Sequence, residues 1–282
     1  MGQKINPVSL RVGLNQLWDS RWAHNLKYSQ YFKQDLLVRS FIEDLCNYQD
    51  LMLGKCAVWR VSSLEGLSYG FGKKEHVKPY LLIYSQVYVP QKVHSVHASW
   101  AQKQEWKKTF EDTISKHLDD YLNNAFSVGL LVDAIYEEST YGVKRPKGKA
   151  DGELGVNADV VKWLLNKDCA FIAQWIANSF QRRKGMKEIC KTIDKCMDYI
   201  QEEQKDTKFK LSGIKITCSG RFKLTDNEKR RNKMARIKTF KKGQVPLQTL
   251  KRHINYHTST AYTADGTSGI KVWISYEPSY IN

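Results

Sequence analysis

Several features are missing from this sequence, and each absence narrows what the chain can be. No apolar run approaches the roughly 20 residues that carry a helix across a bilayer, so no membrane-spanning helix is expected. The start, "MGQKIN", has Asn6 where a myristoylation signal needs Ser or Thr, so a lipid anchor is not expected either. Nor does Met1 open an Arg- and Ser-rich presequence or a secretory signal, which implies either work at the site of synthesis or a presequence already removed. The six cysteines, Cys46, Cys56, Cys169, Cys190, Cys196 and Cys218, show no C-x-x-C spacing, and their apolar, periodic surroundings read as reduced core positions rather than metal ligands or disulfides. No carboxylate cluster suggests a metal nuclease. Finally, no glycine occurs between Gly72 and Gly129.

Acidic residues are also scarce. Against 29 Asp and Glu stand 45 Lys and Arg, a net charge of +16 that draws a protein toward polyanions and makes its binding sensitive to salt. Nucleic acid or an anionic surface is the expected partner. With 282 residues, 41% hydrophobic and 12% aromatic, the chain has the material for two ordinary domains. Lysine exceeds arginine 33 to 12 and tyrosine reaches 15, a bias that accompanies AT-rich genes such as those of organelles.

Along the first half, Leu37, Phe41 and Leu45, with Val38 and Ile42 beside them, repeat at three and four and predict a helix over Tyr28 to Asn47. Strands are expected at Cys56 to Val61 and at Pro79 to Val89, joined through Gly66, Gly70 and Gly72. Trp106, Phe110, Ile114, Leu118 and Leu122 fall four apart and predict a second helix between Ser99 and Leu122. "VGLLVDAIY", Val128 to Tyr136, reads as a buried strand. The polar stretch 137–156, rich in glycine and without periodicity, reads as a linker or insertion, which divides the chain into domains at 1–136 and 157–282.

In the second half Asn157 is placed to cap a helix through Val160, Val161, Leu164 and Leu165, and the apolar pattern resumes from Phe171 to Phe180. Met186, Cys190, Ile193, Met197 and Ile200 form the buried stripe of a further helix. After Gly213 the period becomes two at Ile214, Ile216 and Cys218. "QVPLQTL", "INYHTSTAYTA" and "GIKVWISY" are the remaining strand-like pieces. The expected class is therefore α+β, with a roughly four-stranded sheet and packed helices in the C-terminal domain. The 22 residues Arg221 to Lys242 hold ten basic and two acidic side chains, half of the net charge.

Gly2, Gln3, Lys4, Asn6, Pro7, Arg11, Gly13, Trp18, Ser20 and Trp22 form a pattern that resembles the start of the bacterial-type S-three protein family of the small ribosomal subunit. "SGR" at Ser219, "VPLQTL" at Val245 and "GIKVWI" at Gly269 resemble that family's C-terminal domain, in the same order. The resemblance implies an N-terminal type II KH domain, a single-stranded nucleic-acid module of order helix, strand, strand, helix, helix, strand. A KH domain grips the nucleic-acid backbone through a G-x-x-G loop, and the glycine gap shows that loop to be lost, with "VPQKVHSVHASW" in its place. The expectation is a KH-like scaffold without KH-type gripping. His94 and His97 have metal-ligand spacing, but without cysteine partners a solvated loop is the reading. His253 and His257 sit in a strand-like region and are assigned no site.

The family's central basic cluster faces messenger RNA as it enters the subunit. Aligned without a gap, it falls on Arg183, Lys184, Met186 and Lys187, with Arg182 on an aromatic position. At 100° per residue Lys184, Lys187, Lys191 and Lys195 share one face, opposite Met186, Ile193 and Met197. A helix starting near Arg183 would carry cations at its first turn and Glu202 and Glu203 at its last, the reverse of what the helix dipole favours, and an external anion would explain the inversion. The competing reading is a solvated helix face.

For ribosomal RNA the candidates are Gln3, Lys4, Asn6, Arg11, Arg21, Arg221, Lys229, Arg230, Arg231, Lys233, Arg236 and Lys238, with Lys229, Lys233 and Arg236 on one face of an expected helix. Trp18 and Trp22 are either base-stacking residues or buried anchors. The resemblance further implies neighbours of the S-ten and S-fourteen families, no cofactor and no metal. It implies a structural, messenger-guiding role in a small-subunit head, in a mitochondrial ribosome by the composition, with plastid or bacterial cytoplasm as the alternative. Rival readings are a DNA-repair lyase, for which no lysine has the isolated apolar setting a nucleophile needs, and an RNA-binding regulator outside the ribosome.

Overall fold

A computed structural model describes residues 4–61, 80–90, 100–121, 127–136, 157–203, 209–225 and 234–278. The expected readings at Gln3, Gly66 to Gly72, His94, His97, 137–156 and Lys229 to Lys233 lie outside these residues. The chain divides into two compact units, one formed by Trp18–Glu137 and the other by Met1–Leu17 together with Glu138–Asn282.

In the Trp18–Glu137 unit, α2 (Tyr28–Tyr48) and α3 (Trp100–Tyr121) pack on a sheet of β1 (Ser20–Arg21), β2 (Met52–Val61), β3 (Tyr80–Val89) and β4 (Ser127–Tyr136), in that spatial order. β1 runs parallel to β2, β2 antiparallel to β3, and β3 parallel to β4. The stripes legible in the sequence are the core: Val38, Ile42 and Cys46 from α2, and Phe110, Ile114 and Leu118 from α3, close over Val58, Leu81, Ile83, Val87 and Val132. The order helix, strand, strand, helix, strand agrees with expectation. The 91–99 segment, where the gripping loop would fall, is among the residues not described.

Trp22 resolves as an anchor. Its Nε1–H donates to Asp35 Oδ2 at 2.6 Å, while the Arg60 guanidinium pairs with Asp35 Oδ1 at 2.6 Å and lies over the Tyr31 ring at 4.4 Å. Both charged side chains are buried, the condition under which an ion pair needs its extra hydrogen bonds. Trp18, by contrast, is 68% exposed.

The second unit holds α1 (Pro7–Arg11), α4 (Ala158–Leu165), α5 (Cys169–Gln181), α6 (Met186–Glu203) and an antiparallel sheet in the order β6, β5, β8, β7, where β5 is Phe209–Gly220, β6 Arg236–Gly243, β7 His253–Thr263 and β8 Gly266–Pro278. Asn157 caps α4 as expected, its side-chain oxygen accepting from Asp159 and Val160. Three expectations need correction. The first 17 residues pack with this unit rather than with the N-terminal domain. "QVPLQTL" is not a strand; residues 244–252 form bends and turns. The fourth strand is instead Arg236–Gly243, so Arg236 lies on β6 and not on a helix.

Candidate nucleic-acid interface

The corner between α5 and α6 is built by its backbone. The Arg183 N–H donates to Phe180 O at 2.9 Å and the Lys184 N–H to Ser179 O at 3.0 Å, the paired bonds of a Schellman ending, with Arg183 in the left-handed region at φ 61°. Glycine is the usual occupant of that position, because a Cβ there is crowded. Phe180, the last buried residue of α5, stacks on Phe222 at 5.3 Å and pins the corner to the segment after β5. Gly185 is buried, and Arg182, Arg183 and Lys184 are left exposed.

α6 then starts at Met186, three residues later than expected. Met186, Ile189, Ile193, Cys196, Met197 and Ile200 are buried, whereas Lys187, Lys191 and Lys195 are exposed. The buried stripe and the basic strip therefore occupy opposite faces, as the periodicity indicated. The dipole argument fails, however. The Met186 and Lys187 N–H groups donate to Lys223 O and Leu224 O at 3.0 and 2.9 Å, and Glu188 lies in the first turn. The helix start is satisfied by the protein's own backbone and needs no external anion.

Of the candidates for ribosomal RNA, Arg11 must be withdrawn. It is fully buried, and its guanidinium donates to the carbonyls of Pro7, Leu247, Thr249 and Arg252 at 2.8–3.0 Å. Those carbonyls hold the 244–252 segment onto α1, and burial draws the Arg11 pKa down from its usual value. Asn6 uses its side-chain oxygen to cap α1 by accepting from Val8 N–H at 2.9 Å. Lys4, Arg21, Arg221 and Lys238 are exposed, and Arg236 is half-buried. Arg21 lies over the Trp59 ring at 5.2 Å.

Two lysines that sequence reasoning passed over join this set. In register, Lys215 on β5 lies opposite Lys241 on β6 and Trp273 on β8, and its Nζ sits 5.1 Å from the Trp273 ring centre. Burial lowers the Lys215 pKa, and Lys4 and Lys241 push it the same way. Three cations thus gather on the sheet face opposite Ile214 and Ile216. The period-two alternation after Gly213 was the available signal, since it assigns Lys215 to that outer face.

β6 turns its even-numbered residues toward the helix layer. Lys242 reaches across to Asp194 and Asp198 on α6, with 2.6 Å ion pairs to each. Burial alone would lower its pKa, but the two carboxylates outweigh that and raise it. Beyond this clamp, β6 and α6 diverge and leave a groove of about 310 Å³ lined by Met186, Lys187, Cys190, Lys191, Leu224 and Phe240, with Lys238 on its rim.

All six cysteines are free thiols, and burial raises the Cys190 thiol to about 11 and the Cys46 thiol to about 12, away from the reactive range. His253 and His257 lie on β7, and burial pushes both imidazoles below their ordinary value. Among the described residues no group of His, Cys, Asp and Glu is arranged to hold a metal ion.

The family described as "Ribosomal protein S3, C-terminal domain" matches residues 172–274, the span from α5 to β8 that carries the basic corner, the groove and the sheet. Full-length similarity extends this beyond the domain. Small ribosomal subunit protein uS3 of Gluconobacter oxydans is 27% identical over 277 residues, covering 97% of this chain and 89% of that protein. Residues 172–274 thus match the C-terminal domain of ribosomal protein S3, and the chain as a whole is similar to uS3 proteins at low identity. The uS3 of Rhodospirillum centenum is likewise 27% identical, over 274 residues, with 97% and 89% covered. That of Rhizobium rhizogenes is 27% identical over 278 residues, with 97% and 84% covered. The chain matches these uS3 proteins over 97% of its length, so the similarity runs through both units.

Proposed function

We propose that this chain is a structural constituent of a small ribosomal subunit, binding ribosomal RNA and presenting the α5–α6 corner to messenger RNA. Similarity over 97% of its length to proteins named small ribosomal subunit proteins supports the structural role. The observation that carries the finer reading is the corner itself. Arg183, Lys184 and Lys187 are exposed together, held by a backbone motif rather than by flexible side chains, and continue into Lys191 and Lys195 along one face of α6. Such a strip neutralises a run of phosphates and holds one strand without any catalytic group.

Ribosomal RNA contact is assigned to Lys4, Arg21, Arg221 and Arg236, and Lys215 and Lys241 join Lys4 on the outer sheet face. In the N-terminal unit the helix, strand, strand, helix, strand order supports a KH-like scaffold. The S-ten and S-fourteen families are the proposed protein neighbours. The excess of lysine over arginine supports a mitochondrial ribosome as the location, with plastid or bacterial cytoplasm as the alternative.

Subunits carrying Arg183→Glu with Lys184→Glu are expected to assemble normally, because neither side chain is buried, and to initiate poorly on structured messengers. Translation assays on matched structured and unstructured messengers check this. Equal translation of both by assembled mutant subunits would overturn the messenger-facing assignment.

A further inference from the structure

We propose that the groove between α6 and β6 receives a single unstacked base of single-stranded RNA, stacked against Phe240 while its flanking phosphates lie on Lys187, Lys191 and Lys238. The inference rests on the reading of the neighbouring strip as an RNA surface and names how that surface grips.

The groove exists because β6 is an edge strand. Its inward residues alternate as Arg236, Lys238, Phe240 and Lys242, and Lys242 is tied to the helix layer through Asp194 and Asp198. Phe240 pairs in register with Ile216 and would be core on a central strand. Here the neighbouring turn of α6 does not cover it, and the ring is left half-exposed over a floor of Met186, Cys190 and Leu224. The far wall is fixed, since the Lys223 and Leu224 carbonyls accept from the first two N–H groups of α6. An apolar slot with rigid walls and about 310 Å³ of space lies at the small end of ligand sites, the scale of one planar base rather than a peptide segment.

Charge selects among planar apolar occupants. Lys187, Lys191 and Lys238 surround the slot without an ion-pair partner among the described residues, and the one acid on its lining, Asp194, is already paired with Lys242. The rim is therefore purely cationic in effect. A base carries its own anionic backbone to that rim, whereas an apolar side chain of a protein partner would leave the three ammonium groups unanswered. Aromatic stacking of bases tolerates any sequence, which suits a surface that meets every messenger in turn. Lys187 belongs both to the strip and to the groove, so a strand held along the corner passes the mouth of the slot.

The test uses the full chain and a single-stranded RNA of about a dozen nucleotides carrying one 5-iodouridine, irradiated at saturation and analysed by peptide mass spectrometry, with affinity read by fluorescence anisotropy. Expected are an adduct on the peptide containing Phe240 and a roughly tenfold loss of affinity in Phe240→Ala. Lys238→Glu, which alters only the rim and leaves the floor intact, is expected to weaken binding to a similar extent and guards against misfolding of the first variant. Adducts confined to residues 182–191 with unchanged affinity in both variants would overturn the groove and leave the strip standing. Absence of binding by the wild-type chain would overturn both. Unchanged RNA affinity with impaired incorporation of Phe240→Ala into subunits would give the groove to a protein neighbour and overturn the inference as well.

Discussion

Two buried arginines show how little a positive charge says about its use until its surroundings are known. Arg11 ends in carbonyls and Arg60 in a carboxylate, and neither faces solvent, although Arg11 was among the candidates for ribosomal RNA. Asp35 is the pivot of the second case, since it accepts from Trp22 on one oxygen and from Arg60 on the other. Removing Asp35 alone strands a buried guanidinium, so Asp35→Ala is expected to destabilise the Trp18–Glu137 unit by about 3–5 kcal/mol. Replacing both partners with apolar residues, as Asp35→Leu with Arg60→Met, removes the stranded charge, and most of that loss is expected to return. Urea unfolding of the two variants checks the order. A double variant as weak as the single one would mean that the pair's geometry, not its charge balance, holds α2 to β2.

At the scale of elements, legibility followed burial. α2, α3 and α6 were readable because each lays a stripe of three or more large apolar residues on a core, and the period of that stripe is a direct consequence of the fold. β6 was not readable. An edge strand beside a groove has one apolar inward residue, Phe240, among lysines and arginine, so its alternation carries almost no hydrophobic signal and its composition reads as a basic helix. "VPLQTL" misled in the opposite direction. It has the composition of a strand, yet residues 244–252 bend and turn and place the Leu247 and Thr249 carbonyls on Arg11 instead of in a ladder. The corner shows the same limit, because the basic cluster was visible while the left-handed backbone at Arg183 was not. That conformation makes a separable prediction. Arg183→Gly relieves the crowding and is expected to stabilise the C-terminal unit by roughly 1 kcal/mol, while removing one of the three charges proposed to face the messenger. Thermal unfolding and RNA anisotropy on the same variant should move in opposite directions. A loss of stability would mean that the Arg183 side chain makes a structural contribution larger than its backbone strain.

The whole molecule joins its most distant sequence segments in one unit and keeps an intervening one separate. Residues 1–17 belong with 138–282, a division that no local pattern announces because it depends on contacts spanning more than 230 positions. Arg11, Asn15 and Gln16 all donate to backbone carbonyls between Leu247 and Ile254, so the N-terminal segment acts as a cap on the irregular stretch that leads into β7. The resembling residues up to Gly13 and those from Ser219 onward therefore belong to one unit, whereas Trp18, Ser20 and Trp22 belong to the other. Deleting residues 1–17 should therefore act on the far end of the chain. It leaves the carbonyls of Leu247, Thr249 and Arg252 without a charged donor, each such bond being worth about 1.5–3 kcal/mol. The expected outcome is faster amide hydrogen exchange in peptides from 244–263, with peptides from α2, β3 and α3 unchanged. Uniform acceleration would show that the two units unfold as one. Acceleration confined to residues 28–121 would assign the segment to the other unit and reverse the division.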